Sequence, residues 1–182
     1  MDQKLQDAVL WAAELHAGQW REGEGSLPYI THPIEVLTLL RFTGDVTDDD
    51  LLCVAALHDV IEETGMTLKD VKKRFGDRVA SLLGEVTREE PTAERVSGMT
   101  KDEIWALRSG LLLAEISKMS PDAQKVKLAD RLSNVCGAFQ SKKGKKLRRY
   151  LEQTEEILKI IKREVNPGLW DAIAVAVKTG KA

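Results

Sequence analysis

Residues 54–64 read VAALHDVIEET, and the remainder of the chain makes sense only around them. The run opens apolar with Val54, Ala55, Ala56 and Leu57, sets His58 beside Asp59, and closes on two acids, Glu62 and Glu63. In a helix, residues three and four apart share a face, so Asp59 aligns with Glu62 and Glu63, and His58 with Glu62. His58 and Asp59 leave the axis roughly 100° apart and can still converge on one ion at the helix edge. One helix is therefore expected to hold a metal and to carry a carboxylate one turn further on. A His-Asp dipeptide arises by chance in many chains, so the reading depends on partners elsewhere.

Moving outward, Thr47 is expected to cap this helix, with Asp48, Asp49 and Asp50 in the first turn where the dipole favours acids. The helix should end near Thr64-Gly65. Upstream, residues 3–18 follow the three-four apolar spacing, and His16 at the end of that stripe reads as a packing residue. Residues 19–30, QWREGEGSLPYI, form a loop carrying Arg21, either a grip for a base or phosphate or a solvated charge. Thr31-His32-Pro33 opens the next helix, with Thr31 as its cap and His32 at its mouth.

Downstream, Thr67/Asp70 and Thr100/Glu103 have capping-box spacing. Residues 89–100 lack a period and read as a surface connection. The helix through Ile104, Leu107, Leu111, Leu112 and Ile116 is expected to be central. Ser120-Pro121 opens a helix containing VKLADRLSNV, in which Asp130 and Asn134 share a face. An acid flanked by Leu128, Ala129 and Leu132 is rarely buried unless paired or bound to metal. Residues 141–149, SKKGKKLRR, carry six cations, either a solvated helix start or a phosphate-attracting rim. Tyr150 and a long helix follow, and Asn166-Pro167 starts the last one. No strand period appears, so the fold is expected to be all-α, a single helical bundle of about eight or nine helices over residues 1–182.

Composition agrees with a soluble globular domain: 43% hydrophobic and 31% charged residues. A net charge of −2 gives no global attraction to nucleic acid or anionic membrane, and the basic run lacks interleaved aromatics, so neither partner is expected. No apolar run approaches the roughly 20 residues of a membrane span, and the start MDQKLQDAV is too polar for a secretory signal. Cys53 and Cys136 lie in apolar helical patterns and read as buried free thiols in a reducing cytoplasm. Oligomeric state stays open.

His32, His58, Asp59 and Asp130 stand out as ligand candidates. Two imidazoles and two carboxylates suit one borderline divalent ion such as Mn²⁺, Fe²⁺ or Zn²⁺. Such an ion acidifies water, which Glu62 and Glu63 can orient or whose protons they can manage. Lys127 and Arg131 are cationic candidates for holding a phosphorylated ligand, or surface charges.

In this order, His32, His58-Asp59 and Asp130 resemble the HD-superfamily signature. The longer stretches PYITHP (28–33), ALHDVIEET (56–64), FG (75–76) and VKLADRLSN (126–134) resemble the hydrolase domain of RelA/SpoT homologues, with the small stand-alone hydrolases the nearest likeness. The resemblance spans roughly residues 5–160. It implies a mononuclear Mn²⁺ enzyme that removes the 3′-pyrophosphate of guanosine 3′,5′-bis(diphosphate). By that likeness His32, His58, Asp59 and Asp130 bind the metal, Glu62 and Glu63 are the catalytic acids, Arg21 packs on the guanine, and Asn134 lies beside the ribose. Tyr150 resembles a nucleotide-contacting tyrosine. Two positions depart from the pattern. Glu63 stands where an aspartate is usual, and Glu22 where a lysine commonly follows the arginine. The 87–120 segment is also longer than in the small hydrolases, and no synthetase domain is expected. Glu22 motivates a second reading, action on another nucleotide such as the 2′-phosphate of NADPH. A third is a non-catalytic helical binding protein.

Overall fold

The computed structural model describes residues 3–21 and 27–180. Its elements are α1 (Gln3–Leu15), α2 (Thr31–Thr38) running into one π-helical turn (Leu39–Thr43), α3 (Asp49–Leu57), α4 (Val60–Glu63), α5 (Leu68–Phe75) and α6 (Asp77–Val86). Then come α7 (Lys101–Ile116), α8 (Pro121–Ser141), α9 (Gly144–Ile160), a 3-10 turn (Arg163–Val165) and α10 (Pro167–Thr179). With the single turn α4 counted as the continuation of α3, the described residues form nine helices and no strand; an isolated bridge pairs Trp20 with Pro28.

At the centre is α3. All seven residues from Leu51 to Leu57 are buried, because a helix apolar on every side can only be stable with neighbours on every side. Those neighbours are α1, α2, α6 and α8. On α8, Val126, Leu128, Ala129, Leu132 and Val135 face this core. α10 packs on α8, while α7 and α9 pack on each other. None of the described helices is long and apolar enough to cross a membrane.

Most helix starts follow local chemistry. Both capping boxes form, and Ser120 and Asn166 cap α8 and α10 through their side chains. Gly76 joins α5 to α6 at φ +90°, a conformation that L side chains rarely adopt. Two expected caps shift. Asp48, not Thr47, accepts from the amides of Asp50 and Leu51, since its carboxylate reaches both free N–H groups. Thr31 does not cap α2; Ile30 holds that place, and the Thr31 hydroxyl donates to the Pro28 carbonyl, tying down the preceding loop.

Three other expectations are corrected. The helix through 54–64 is broken: α3 ends at Leu57, Asp59 sits at φ −98°, ψ −6°, and α4 resumes at Val60. Adjacent side chains on a regular helix diverge by roughly 100°, and the break lets His58 and Asp59 turn to one point. α7 is not central. Only Ser109, Leu112 and Ile116 are buried, because its apolar residues spread around the helix instead of forming one stripe. Cys53 is buried, but Cys136 is exposed: it lies one step round α8 from core-facing Val135. Both thiols are free.

Candidate metal centre and active-site cavity

Four side chains from three separate parts of the fold meet at the end of α3. His32 comes from α2, His58 and Asp59 from the break, and Asp130 from α8. The two Nε2 atoms are 3.2 Å apart. His58 Nε2 lies 3.2 Å from Asp59 Oδ1, and His32 Nε2 lies 3.6 Å from Asp59 Oδ2. Asp130 Oδ1 approaches from the side, 3.4 Å from His32 Nε2 and 3.8 Å from His58 Nε2. His32, His58 and Asp59 each offer a ligand atom within 4.8 Å of the others. Atoms bonded to one cation at 2.0–2.2 Å stand about 3–3.5 Å from each other, so these spacings match a shared ion.

Outer contacts select which atoms face the centre. His58 Nδ1 donates to the Ala55 carbonyl at 2.9 Å, leaving Nε2 for a ligand. Ser133 Oγ donates to Glu35 Oε2 at 2.8 Å and so accepts from His32 Nδ1 at 3.0 Å, which leaves the second Nε2 available. Glu35 in turn receives Arg21 Nη1 at 3.2 Å. The Tyr29 hydroxyl donates to Asp59 Oδ2 at 2.8 Å, and Asn134 donates to Asp130 Oδ1. Lys127 Nζ holds the other oxygen of Asp130 at 2.9 Å. Such outer partners fix the tautomer and the rotamer of ligands.

Electrostatics fit the same conclusion. Burial pushes the His58 imidazole down, but the Asp59 and Asp130 carboxylates outweigh it and raise it. Burial opposes the charge on Asp59 and Asp130, yet His58 beside the first and Lys127 beside the second hold both below the usual carboxylate range. The pocket thus demands positive charge among its donors. A divalent cation meets that demand with the N₂O₂ set present. These groups line one wall of a cavity of about 900 Å³ between the α2–α4 side and the α7–α9 side.

The HD-domain family profile matches residues 8–160. The chain belongs to the HD-domain family. Among its relatives, this HD-domain chain is 35% identical over 132 residues to guanosine-3′,5′-bis(diphosphate) 3′-pyrophosphohydrolase MESH1 of Drosophila melanogaster, and 36% identical to that of Homo sapiens. Each alignment covers 72% of this chain and 68% of the relative. The Aquifex aeolicus guanosine-3′,5′-bis(diphosphate) 3′-pyrophosphohydrolase is 34% identical over 80% of this chain and 19% of its own, much longer, length. A solved structure described as a metazoan ortholog of SpoT that hydrolyzes ppGpp superposes with a TM-score of 0.82 at 28% identity, covering 98% of this chain and 96% of that one.

Every other site candidate of this HD-domain protein lines the same cavity: Glu62, Glu63, Arg21, Lys127, Arg131, Asn134 and Tyr150. Glu62 sits on α4, where its Oε1 accepts the Arg88 amide at 2.7 Å. Burial raises its carboxyl above the ordinary glutamate value. The Glu63 carbonyl accepts from Gln19, so α4 is tied to the chain that follows α1. Arg21 is neither free nor in bulk solvent; it is paired with Glu35. Glu22 lies outside the described residues. His16 is buried, bonded through Nδ1 to Gln19 and stacked on Tyr29 at 4.8 Å, so it packs as expected, but its buried Nε2 has no hydrogen-bond partner among the described residues. Three contributors escaped the sequence reading: Tyr29, Glu35 and Ser133. Glu35 is three residues after His32 and Ser133 three after Asp130, so helical spacing from each ligand was the available signal.

Proposed function

We propose that this chain is a Mn²⁺-dependent hydrolase of guanosine 3′,5′-bis(diphosphate), releasing pyrophosphate from the 3′ position and leaving the 5′-diphosphate nucleotide. The observation that carries the reading is the convergence of His32, His58, Asp59 and Asp130 on one point at the wall of a cavity large enough for a nucleotide. The activity for which the relatives are named and the superposition on a ppGpp-hydrolysing chain support it. Residues 1–182 act as one HD domain, in the cytoplasm, without nucleic acid or membrane.

His32, His58, Asp59 and Asp130 hold the ion; Fe²⁺ and Zn²⁺ suit the same donors, and it is the family likeness that favours Mn²⁺. When bound, the ion supplies Lewis acidity toward water and the phosphoryl group. The chain's own residues do the rest. Water oxygen attacks the 3′-attached phosphorus, the bond from that phosphorus to the ribose 3′-oxygen breaks, and the 3′-oxygen takes up a proton. Glu62, aimed by the Arg88 amide and with its carboxyl raised by burial, accepts and returns that proton, with Glu63 beside it. Lys127 neutralises charge next to Asp130. Asn134 and Tyr150 contact ribose and nucleotide, and Arg21, set by Glu35, packs on the base.

A substrate panel with Mn²⁺ tests the reading. Pyrophosphate release from guanosine 3′,5′-bis(diphosphate) is expected. Turnover of NADPH with silence on guanosine polyphosphates would replace it by the 2′-phosphate reading, and absence of both with no bound metal would leave a binding protein.

A further inference from the structure

His16 is a buried imidazole that neither the metal centre nor the proposed chemistry uses. It follows directly on α1, and its Nε2 has no hydrogen-bond partner among the described residues. The other ring nitrogen makes one directed contact, with Nδ1 2.8 Å from Gln19 Oε1. The Gln19 amide nitrogen donates in turn to the Glu63 carbonyl at 2.9 Å. An amide that gives its N–H to a carbonyl presents its oxygen on the other side, so Gln19 Oε1 accepts and His16 Nδ1 carries the proton. The backbone of Gln19 is fixed as well. Its N–H donates to the His16 carbonyl at 3.1 Å, and its own carbonyl accepts from the Tyr29 amide at 2.9 Å. His16 also stacks on Tyr29, so the ring braces the glutamine from two directions.

The far end of this chain of bonds is α4, which needs outside support. It is a single turn, Val60–Glu63, and only Val60 is buried. A helix so short has almost no hydrogen bonding of its own, and its last carbonyls must find partners elsewhere. Thr64 Oγ1 donates to the Val60 carbonyl, and Gln19 donates to that of Glu63. A different part of the chain holds the side chain of the turn, where the Arg88 amide donates to Glu62 Oε1 at 2.7 Å. The Gln19 bond is open to solvent, so water can replace it with little loss of stability. Water cannot replace its fixed direction.

We infer that Gln19, oriented by His16, is a positioning residue that holds the carbonyl end of α4 and so keeps Glu62 and Glu63 in place on the cavity wall. The kinetic part rests on the proposed function, in which these carboxylates manage the proton. The anchor comes from the chain after α1 and is separate from the Ser133–Glu35 support of His32. It therefore acts on the acids and not on the metal ligands.

Gln19→Leu removes the donor. Gln124→Leu is the control, because Gln124 Nε2 donates in the same way to the carbonyl of Ile116, the last residue of α7, a helix that carries neither acid. Amide hydrogen exchange, read by mass spectrometry on the full chain, should quicken about tenfold across 60–64 in Gln19→Leu and not in Gln124→Leu. With guanosine 3′,5′-bis(diphosphate) and Mn²⁺, kcat should fall about tenfold in Gln19→Leu, while KM and Mn²⁺ affinity stay within about twofold of wild type. In a Glu62→Gln background the same change should cost less than about twofold, because the group it positions is gone. His16→Phe keeps a ring against Tyr29 but has no Nδ1, and should move exchange and kcat in the same direction by a smaller factor. Unchanged exchange at 60–64 overturns the inference. So does an unchanged kcat in an active enzyme, an equal effect of Gln124→Leu, or a full further loss on top of Glu62→Gln. A His16→Phe that matches wild type in both readouts overturns the role given to His16. Pyrophosphate release by wild type is scored separately. A wild type that releases none refutes the proposed reaction, and exchange at 60–64 then decides the anchor alone.

Discussion

Replacing Ser133 with alanine removes the link between a metal-facing imidazole and its outer support. Ser133 is fully buried; its Oγ accepts from His32 Nδ1 at 3.0 Å and donates to Glu35 Oε2 at 2.8 Å. In Ser133→Ala both partners lose a bond, but not equally. The Glu35 side chain is 39% exposed and keeps Arg21, so water and the guanidinium make good its loss. His32 is 5% exposed and has no such recourse. Leaving one buried donor unpaired costs about 1–3 kcal/mol, which should appear as a lower melting temperature of the metal-free protein. For the ion, the imidazole loses the contact that keeps its proton on Nδ1 and its ring in place. Loss of such an outer partner weakens metal binding about 10- to 100-fold, or about 1.4–2.7 kcal/mol. The assay is Mn²⁺ affinity by competition with a chelator of known strength. Thr154→Ala is the control, because Thr154 is equally buried but bonds only the Tyr150 carbonyl of its own helix. It should lower stability without changing the affinity. An Mn²⁺ affinity in Ser133→Ala within twofold of wild type, or a loss matched by Thr154→Ala, would show that the Ser133–Glu35 relay does not set the imidazole.

Asp59→Ala and Asp130→Ala should each abolish tight metal binding while the helical circular dichroism signal survives; one Mn²⁺ per chain retained in either variant, by elemental analysis, would refute the ligand set. Glu62→Gln should keep the metal and lower kcat about 10²- to 10⁴-fold, because the carboxyl proposed to handle the proton is gone while its hydrogen bond to the Arg88 amide can persist; unchanged kcat would remove Glu62 from the chemistry. Arg78 joins the starts of α3 and α8 by holding Asp48, Asp50 and Asp122, so Arg78→Ala should destabilise by less than about 1 kcal/mol given its exposure. The hydrogen bond from Arg78 lowers the Asp48 carboxyl, so this contribution is present above the ordinary Asp value and fades as pH falls through the lowered one. Urea unfolding at pH 7 and in strong acid should show the difference between variant and wild type shrinking in acid; a difference that is constant or grows would contradict the assignment.

Much of this protein follows from short-range chemistry. Hydrophobic period and capping residues act within a few positions, so the all-α class, the boxes at Thr67 and Thr100 and the caps at Ser120 and Asn166 are readable along the chain. The ligand candidates were legible for another reason: carboxylates and imidazoles set in apolar surroundings need partners, and this chain has only three histidines. Packing decided what spacing could not. Whether a helix runs on through His58 depends on where α2 and α8 present His32 and Asp130, and the break there lets His58 and Asp59 turn towards them. Whether α7 is core or wall, and which side of α8 carries Cys136, depends on rotation about a helix axis, which only neighbouring helices fix. The pairing of Ser133 with Glu35, 98 positions apart, and the placing of Arg131 and Lys142 each against the Tyr150 ring likewise arise from side chains that different parts of the chain project into shared space. Local sequence specifies which helices form; the burial of α3 on all sides specifies how they are turned, and with that, where charge remains unpaired.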